Sequence, residues 1–355
     1  MYVRFVLLVL RAVSSLASTP SCGMVQLALL PTRVQAAQLR RVAAQRRTRS
    51  RTACSATMRV LNLEPASSSG AAADPLALST RLQQLILALK SEFVREDGTG
   101  VDYAAARGSA AFAEYCLAAR DLQLVEVEAL GDEAERRCFF INLYNALTIA
   151  GLVTTTPLPE SPQKVADFYN SVAYRVGSRT LTLNDIEHGI LRGNGVQPAS
   201  RKPHWAADDE RARLALPLDP RIHFALNCGA KSCPPIRVLT PGNLEFGLKA
   251  AAAGFLENHT EVDEQGVELS SLLLWYGRDF GDTQEAVLSA VCAQLPPASA
   301  KRAALSRLLE QSCDKPMPLS ATLWNGAVSL ALPMFMRRGP VNVRYAPYDW
   351  SLNSA

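Results

Sequence analysis

A helical segment at residues 132–153 places the strongest constraint on how this chain of 355 residues can fold. From Cys138 to Val153 the segment is apolar on almost every side. A helix at the surface of a globular protein would instead be apolar along one stripe only. We therefore predict a central helix that is buried on all sides, around which the remaining elements must pack.

Two amides interrupt this apolar helix. Asn142 and Asn145 are three residues apart and therefore share one face. A buried amide without a partner costs about 1–3 kcal/mol, so both side chains must be hydrogen-bonded. Either they bind the backbone of a neighbouring loop, or they take a direct part in a functional site.

The remaining patterns predict an α+β fold. Apolar residues at spacings of three and four predict further helices, and alternating patterns bounded by turn residues predict strands. The predicted helices lie at 79–98, 109–121, 240–258, 283–294 and 299–312, and the predicted strands at 172–176, 179–183, 221–227 and 341–345. Thr182 and Asp185 have the spacing of a helix cap, which predicts a short helix carrying residues 186–191. We expect one large domain, 79–355, in which a helical N-terminal half packs on a small, mostly antiparallel sheet.

The positive charge of the chain is concentrated at its N-terminus. Residues 1–63 contain ten arginines and no lysine, aspartate or glutamate. Because the whole chain has a formal net charge of +4 and this segment contributes +10, residues 64–355 carry −6. A mildly acidic remainder argues against a nucleic-acid partner, which would need a basic face on the folded part.

An acid-free leader that contains arginine and serine is typical of an organellar transit peptide. We interpret 1–63 as a targeting segment for a plastid, a mitochondrion or the secretory route, followed by a linker at 64–78. The alternatives are a disordered arm, or a chain that truly starts at Met24 or Met58 and is cytoplasmic. The first apolar run is too short to span a bilayer and no run of 18 apolar residues follows it, so no transmembrane segment is predicted.

The residues that most suggest chemistry lie at 219–236. An apolar strand pattern there leads into a turn that carries Cys228, and Cys233 follows before two prolines. Only these two of the eight cysteines are close in sequence, so a framework of disulfides is not expected. In a strand, His223 and Cys228 would point to opposite faces with ~16 Å of extended backbone between them. Unless the chain folds back sharply at Gly229, this excludes His223 as the base for that thiol.

His188, on the helix predicted after Thr182, is the better candidate base. An imidazolium beside a thiol lowers the thiol pKa and produces the nucleophilic thiolate, and Glu187 is placed to orient the ring. Gly229 and the amides after it would supply an oxyanion pocket. Three alternatives stay open for the two cysteines: a regulatory disulfide, a metal site completed by two histidines, or a pair of buried, inert thiols.

Five segments of the chain together resemble the family known as domain of unknown function 547. They lie at 140–148, 183–192, 219–235, 275–281 and 348–353, in the order expected for that family. The resemblance covers about 100–353. It implies an α+β domain of largely uncharacterised activity, related to papain-like or transglutaminase-like thiol enzymes. The polar positions that it carries over are Asn142, Asn145, Glu187, His188, His223, Asn227, Cys228 and Cys233.

The sequence thus predicts a thiol-dependent hydrolase or an acyl or amide transferase that acts on a small molecule or a peptide. The predicted catalytic residues are Cys228, His188 and Glu187, and the predicted supporting residues are Asn142, Asn145, His223, Asn227 and Cys233. This chemistry calls for no cofactor and no metal ion. The alternative is a non-catalytic interaction domain in which the polar cluster holds loops together.

Overall fold

The computed structural model describes residues 57–66, 72–96, 100–198, 200–264, 266–313 and 341–353. The targeting interpretation therefore falls almost entirely outside the described residues. Two elements lie in segments predicted to be leader or linker. A short strand, β1 (Arg59–Val60), lies within the predicted leader, and helix α1 (Pro75–Glu92) begins within the predicted linker.

Among the described residues, three helices precede the central one. Helix α1 begins where the Asp74 carboxylate accepts hydrogen bonds from the first free backbone N–H groups. Helices α2 (Tyr103–Ala106) and α3 (Ala110–Arg120) follow, and the Ser109 hydroxyl caps α3. Helix α1 packs on α3 and on the central helix.

The predicted central helix is confirmed as α4 (Glu133–Val153). The Asp132 carboxylate caps its first turn by accepting a 2.8 Å hydrogen bond from the backbone N–H of Glu135. Every residue from Arg137 to Val153 is buried, as the uniformly apolar composition requires. The helix is therefore the axis of the main hydrophobic core.

The predicted hairpin is confirmed and belongs to a three-stranded sheet. After the short helix α5 (Phe168–Ser171), β2 (Val172–Val176) pairs antiparallel with β3 (Arg179–Thr182) and parallel with β1. Gly177 turns the hairpin with a φ of 56°. A Cβ atom at this position would lie 2.4 Å from the carbonyl oxygen of Val125, so the turn requires glycine.

The short helix predicted after Thr182 begins where expected, but it is a π-helix (Asp185–Leu191). The backbone N–H of Thr182 donates to the Asp185 carboxylate at 2.9 Å, and the N–H of Asp185 donates to the Thr182 hydroxyl at 3.1 Å. This reciprocal pair is the capping arrangement that the sequence indicated. Turns of π-helix are rare and occur frequently at functional sites, and this one carries Glu187 and His188.

In the C-terminal part, the residues that the structure describes form a second sheet and four helices. Strand β5 (Gly266–Ser270) pairs antiparallel with β4 (Glu261–Asp263) and parallel with β6 (Val343–Ala346). The helices are α6 (Leu244–His259), α7 (Ser271–Tyr276), α8 (Gln284–Gln294) and α9 (Ala300–Cys313). Apolar residues of these helices and of β5 form a second core cluster.

The α+β class is confirmed with one correction. Instead of a single, mostly antiparallel sheet, the described residues form two small sheets, each of which combines one antiparallel and one parallel pair. The described residues, from 57 onward, belong to one compact unit. Among the described residues, no helix has the length and apolar character needed to cross a bilayer.

The strand predicted at 221–227 is wrong, because the chain forms a 3₁₀ helix there (Pro220–Phe224). The Asp219 carboxylate accepts from the backbone N–H of Arg221 at 2.9 Å and from its guanidinium at 3.0 Å. Proline at the first helical position also favours this turn. Such local bonds between side chain and backbone compete with extended structure, and apolar alternation does not reveal them. Further 3₁₀ turns lie at Asp121–Leu124, Val127–Ala129, Pro162–Lys164, Glu210–Leu214 and Gly277–Asp279.

Candidate functional site

The two amides of α4 bind loop backbone. The side chain of Asn145 accepts from the N–H of Asn227 at 2.8 Å and donates to the carbonyl of Ala225 at 3.0 Å. Asn142 makes the same two-bond pattern with one residue, Leu239, at 3.1 and 2.7 Å. Both amide side chains thus attach loop backbone to α4. The loop that Asn145 binds is the one that carries Cys228 and Cys233.

The cysteine loop at 227–234 is closed by its own polar and steric contacts. The side chain of Asn227 spans it, accepting from the N–H of Gly229 at 2.9 Å and donating to the carbonyl of Pro234 at 2.8 Å. Gly229 has a φ of 90°, and a Cβ atom there would lie 2.6 Å from Cδ1 of Leu152 in α4. The loop therefore requires glycine at this position in order to pack against the central helix.

The two thiols of this loop are in direct contact. Cys228 and Cys233 are free cysteines whose Sγ atoms lie 2.7 Å apart, and the N–H of Cys228 donates to Sγ of Cys233 at 3.1 Å. The Tyr348 hydroxyl lies 3.2 Å from the Cys233 sulfur and 3.6 Å from the Cys228 sulfur. Both cysteines are partly buried. The two sulfurs and the tyrosine hydroxyl thus form one hydrogen-bonded unit, which we call the thiol pair with its tyrosine.

These contacts separate the acidities of the two thiols. Burial raises the pKa of Cys233, but hydrogen bonds from Cys228, from Tyr348 and from the backbone outweigh burial and lower that pKa below its ordinary value of 9.0. The hydrogen bond to Cys233, and next to it burial, raises the pKa of Cys228 well above the same value. The pair therefore loses one proton readily and holds the second tightly.

The C-terminal segment beyond β6 lies against the cysteine loop and supplies Tyr348. The N–H of Lys231 donates to the carbonyl of Ser351, and the N–H of Asn353 donates to the carbonyl of Gly229, both at 2.9 Å. Because these backbone bonds attach the segment to the loop, the tyrosine hydroxyl is held beside the sulfurs.

Glu187 is buried in the π-helix as a carboxylate with two tyrosine donors. The hydroxyl of Tyr144 donates to its Oε2 at 2.9 Å, and the hydroxyl of Tyr276 donates to its Oε1 at 2.7 Å. Burial raises the pKa of Glu187, but the neighbouring imidazoles and the Tyr276 hydrogen bond outweigh burial and lower it below its ordinary value. The carboxylate is therefore ionised at neutral pH.

The ring of His188 is held by Arg192. The Nη1 atom of Arg192 lies 3.1 Å from Nδ1 of His188, whereas the nearer carboxylate oxygen of Glu187 is 3.7 Å from that nitrogen. Because a guanidinium can only donate, Nδ1 is the acceptor and the ring proton resides on Nε2. Burial lowers the pKa of His188 to about 4 against the opposing charge of Glu187, so the ring is neutral at pH 7.

A second imidazole, His223, is oriented by Asp279, a residue that the sequence analysis missed. Nε2 of His223 lies 2.7 Å from one oxygen of Asp279, and the two carboxylate oxygens also accept from Arg192 at 2.7 and 2.8 Å. Burial raises the pKa of Asp279, but its bonds to His223 and Arg192 lower it to about 2. Since the ionised carboxylate only accepts, Nε2 of His223 carries a proton and donates to Asp279. The ring also stacks on Tyr276, with centroids 4.1 Å apart.

Four of the residues singled out from the sequence line one cleft: Glu187, His188, His223 and Cys228. The cleft has an interior volume of about 150 Å³ and is partly open to solvent. Its walls are largely aromatic and are formed by Tyr144, Tyr169, Trp275, Tyr276, Tyr348 and Trp350. The supporting residues Asn142, Asn145, Asn227 and Cys233 do not line this cleft. Asn145, Asn227 and Cys233 act on it through the cysteine loop, whereas Asn142 binds the backbone of Leu239.

The exclusion of His223 rested on an extended chain between it and Cys228, and that premise is wrong. Because Pro220–Phe224 is a 3₁₀ helix, the intervening segment is shorter than a strand, and the rule of alternating faces does not apply. His223 and Cys228 instead line the same cleft.

The structure bears on the three alternatives left open for the cysteines. The thiols are free but in contact, so a disulfide between them needs little movement. They are only partly buried, and Cys228 lines the cleft, which is unlike an inert core thiol. Within the described ranges, no group of three or more His, Cys, Asp and Glu side chains is arranged as a metal site.

Four further residues of the site escaped the sequence analysis: Arg192, Tyr276, Asp279 and Tyr348. All four lie inside the segments that resemble the uncharacterised family, at 183–192, 275–281 and 348–353. An arginine and an aspartate within two such segments were a signal for an ion pair. The sequence contains no corresponding signal for the contact between Tyr348 and the sulfurs.

Comparison with known proteins gives one match. Residues 128–256 match the family described as "Protein of unknown function, DUF547". The matched part contains α4, the π-helix and the cysteine loop, whereas Asp279 and Tyr348 lie beyond it. No curated protein and no solved structure matches the chain. The relation to papain-like or transglutaminase-like enzymes is not supported by the match.

Proposed function

We propose that this protein is a thiol-dependent hydrolase or an acyl or amide transferase, with Cys228 as the nucleophile and a small molecule or peptide as the substrate. The observation that carries the proposal is the 2.7 Å contact between Cys228, which lines the cleft, and Cys233, whose pKa is lowered. A thiol becomes a strong nucleophile when it loses its proton. Here a second sulfur in contact with the first is the acceptor of that proton.

In the proposed reaction, the Cys228 sulfur attacks the carbonyl carbon of an ester, thioester or amide. Its proton passes to the Cys233 thiolate, which the Tyr348 hydroxyl and the Cys228 N–H stabilise beforehand. The carbonyl electrons move to oxygen and return as the bond to the leaving group breaks, and the leaving group takes the proton held by Cys233. An acyl group then remains on Cys228, and attack by water or by an acceptor amine or hydroxyl removes it and restores the thiol.

The two imidazoles have complementary roles in this proposal. His188 presents an Nε2–H donor, which suits it to stabilise the oxyanion. His223, oriented by Asp279, presents an Nδ1 acceptor that takes the proton of the incoming water or amine. From the sequence, His188 was the predicted base and Glu187 the residue that orients it. Here these roles belong to His223 and Asp279 instead, because Arg192 occupies Nδ1 of His188.

The alternative is a non-catalytic interaction domain. It is favoured by one observation, which is that Asn142 and Asn145 bind loop backbone and do not line the cleft. In that case the cleft would bind a partner without turnover.

A panel of short-chain p-nitrophenyl esters and acyl thioesters tests the proposal. The variants are Cys228→Ser and His223→Ala, and the matched control is Cys292→Ser, which alters another partly buried free thiol. We expect turnover by the wild type and by Cys292→Ser, and a loss of at least about 100-fold in the other two.

Added imidazole is expected to restore part of the activity of His223→Ala, because the missing group is a proton acceptor. A Cys228→Ser variant that keeps its circular dichroism spectrum and turns over reporters as fast as the wild type would contradict the proposal. Absence of turnover by the wild type on the whole panel would favour the interaction domain.

A further inference from the structure

We propose a second chemistry for the same two sulfurs: Cys228 and Cys233 form a redox-active dithiol that low-molecular-weight disulfides oxidise to an intramolecular disulfide and low-molecular-weight thiols reduce. This goes beyond acyl transfer and does not depend on it, because it uses only the two sulfurs and an exchanging disulfide.

The cysteine loop holds the Sγ atoms of Cys228 and Cys233 close together although no disulfide joins them. Their separation is 2.7 Å, and a disulfide bond is about 2.05 Å long. The side chain of Asn227 closes the loop through Gly229 and Pro234, and Asn145 fixes the backbone of Asn227. Oxidation therefore requires small rotations of two side chains, and the closed loop serves both redox states.

The environment assigns a different task to each sulfur. Cys228 lines the open cleft, so it is the sulfur that meets an external disulfide. Cys233 does not line the cleft but contacts Cys228, the Cys228 N–H and Tyr348. It is placed to resolve a mixed disulfide on Cys228. The aromatic walls and the ionised Glu187 favour a small, uncharged disulfide over an anionic one.

The exchange balances in two steps. In the first, Cys228 attacks one sulfur of the disulfide RSSR, its proton passes to Cys233, and RS⁻ leaves and takes a proton from solvent. In the second, Cys233 loses its proton to solvent and attacks the Cys228 sulfur of the mixed disulfide, which expels the second RS⁻, itself then protonated. The protein dithiol is oxidised by two electrons, and RSSR is reduced to two RSH.

The sequence makes the product easy to identify. Trypsin cleaves after Arg221, Lys231 and Arg237, so Cys228 and Cys233 fall in different peptides, 222–231 and 232–237. The full-length reduced protein is exposed to bis(2-hydroxyethyl) disulfide, quenched with acid, alkylated, digested and analysed by mass spectrometry. We expect the two peptides to be joined in the wild type and separated again by a reducing thiol.

Two variants test the division of roles. Cys233→Ser lacks the resolving sulfur and is expected to accumulate hydroxyethylthiol on peptide 222–231. Cys228→Ser is expected to give neither the joined peptides nor rapid modification of peptide 232–237. The matched control Cys292→Ser is expected to behave as the wild type, since Cys292 lies in α8 with its sulfur 3.7 Å from the carbonyl of Arg302.

Three results would overturn this inference: a persistent mixed disulfide on wild-type Cys228 without joined peptides, modification of Cys116 and Cys292 as fast as Cys228, or full reaction of Cys233 in the Cys228→Ser variant. The readout is a mass and requires no substrate turnover. If the protein forms the reversible disulfide but hydrolyses no ester or thioester, the redox proposal stands and the proposed hydrolase or transferase function is contradicted. If it hydrolyses the reporters but forms no disulfide, the proposed function stands and the redox proposal is contradicted.

Discussion

The Nε2 atom of His223 lies 2.7 Å from a carboxylate oxygen of Asp279, a residue 56 positions further along the chain. The same carboxylate binds Arg192 through two hydrogen bonds, and the Arg192 guanidinium also lies 3.1 Å from Nδ1 of His188. One buried ion pair thus fixes the tautomers of both imidazoles in the cleft. It also joins the π-helix to the 3₁₀ turn that follows α7.

The ion pair itself can be tested by Asp279→Asn. The substitution preserves shape but removes the charge of the carboxylate that forms two hydrogen bonds with the Arg192 side chain, which is 3% exposed. Removing one partner of a buried pair costs about 3–5 kcal/mol, so we expect the free energy of unfolding in urea to fall by about 3 kcal/mol. The control Glu245→Gln breaks a surface contact with Arg221 and is expected to cost less than about 1 kcal/mol. Equal losses in the two variants would argue against a structural role for the buried pair.

The pKa of His188 predicts a pH dependence of stability. Burial lowers this pKa from 6.5 to about 4 in the folded protein, so the unfolded chain binds the proton more readily. The free energy of unfolding is therefore unaffected by His188 above pH 6.5, where the ring is neutral in both states. It falls as the pH decreases from 6.5 towards 4, because the unfolded chain then takes up a proton that the folded protein does not. The difference corresponds to about 3 kcal/mol. Asp279, with a pKa of about 2, titrates below this window.

The measurement is urea unfolding of the wild type and of His188→Gln between pH 7 and pH 4. Glutamine does not titrate, so the wild type is expected to lose about 3 kcal/mol more than the variant across this range. Parallel curves for the two proteins would show that His188 is not held neutral by the fold.

The two amides of α4 form a matched pair for testing how the cysteine loop is positioned. Asn145→Ala and Asn142→Ala each remove two buried hydrogen bonds to backbone, and each is expected to lower the free energy of unfolding by about 2–4 kcal/mol. Only Asn145 holds the loop of Cys228. Iodoacetamide should therefore alkylate Cys228 at an altered rate in Asn145→Ala and at the wild-type rate in Asn142→Ala. An identical change in both would contradict a specific link between Asn145 and the thiol.

Glycine at position 229 is expected to be essential for the same loop. Gly229→Ala would introduce strain at a φ of 90° and a Cβ atom 2.6 Å from Leu152, so we expect a loss of about 2 kcal/mol or more. The control is Gly254→Ala in α6, where nothing lies within 4 Å of the added Cβ. Alanine there is expected to stabilise the helix by about 0.5–1 kcal/mol. A tolerated Gly229→Ala, measured by thermal unfolding, would contradict the loop geometry.

Tyr348→Phe tests the hydrogen bond to the thiol pair. The Tyr348 hydroxyl is one of the donors that lower the pKa of Cys233. Removing this hydroxyl should therefore raise the pKa of Cys233 and shift the pH profile of its alkylation by iodoacetamide to higher pH, by about one pH unit. Tyr345→Phe in β6 is the control and should leave the profile unchanged. A profile that moves to lower pH in Tyr348→Phe would mean that the hydroxyl stabilises the thiol rather than the thiolate.

Local patterns carried the correct sequence predictions. The length and burial of α4 follow from its uniform apolarity and the Asp132 cap, and the hairpin follows from alternation around Gly177. The contact between Thr182 and Asp185 follows from cap spacing. In each case the residues that determine the structure lie within a few positions of one another, so the sequence displays the cause directly.

The errors and omissions have long-range or competing causes. The strand predicted at 221–227 failed because the Asp219 carboxylate closes a turn that apolar alternation does not encode. Asp279 lies 56 positions from its partner His223, and Tyr348 lies 115 positions from its partner Cys233. No pattern in one sequence fixes contacts over such separations. The thiol pair could be foreseen only as two cysteines on one loop. Which sulfur faces the cleft depends on how that loop packs against α4.

The most direct measurement is to identify the acylated residue during turnover of a thioester reporter. The wild-type protein is mixed with the reporter, quenched with acid within the first turnover, digested with trypsin and analysed by mass spectrometry. We expect the acyl group on Cys228 in peptide 222–231, and its absence from Cys228→Ser and from every other cysteine peptide. Acylation of Cys233 alone, or of no cysteine while turnover continues, would contradict the assignment of Cys228 as the nucleophile.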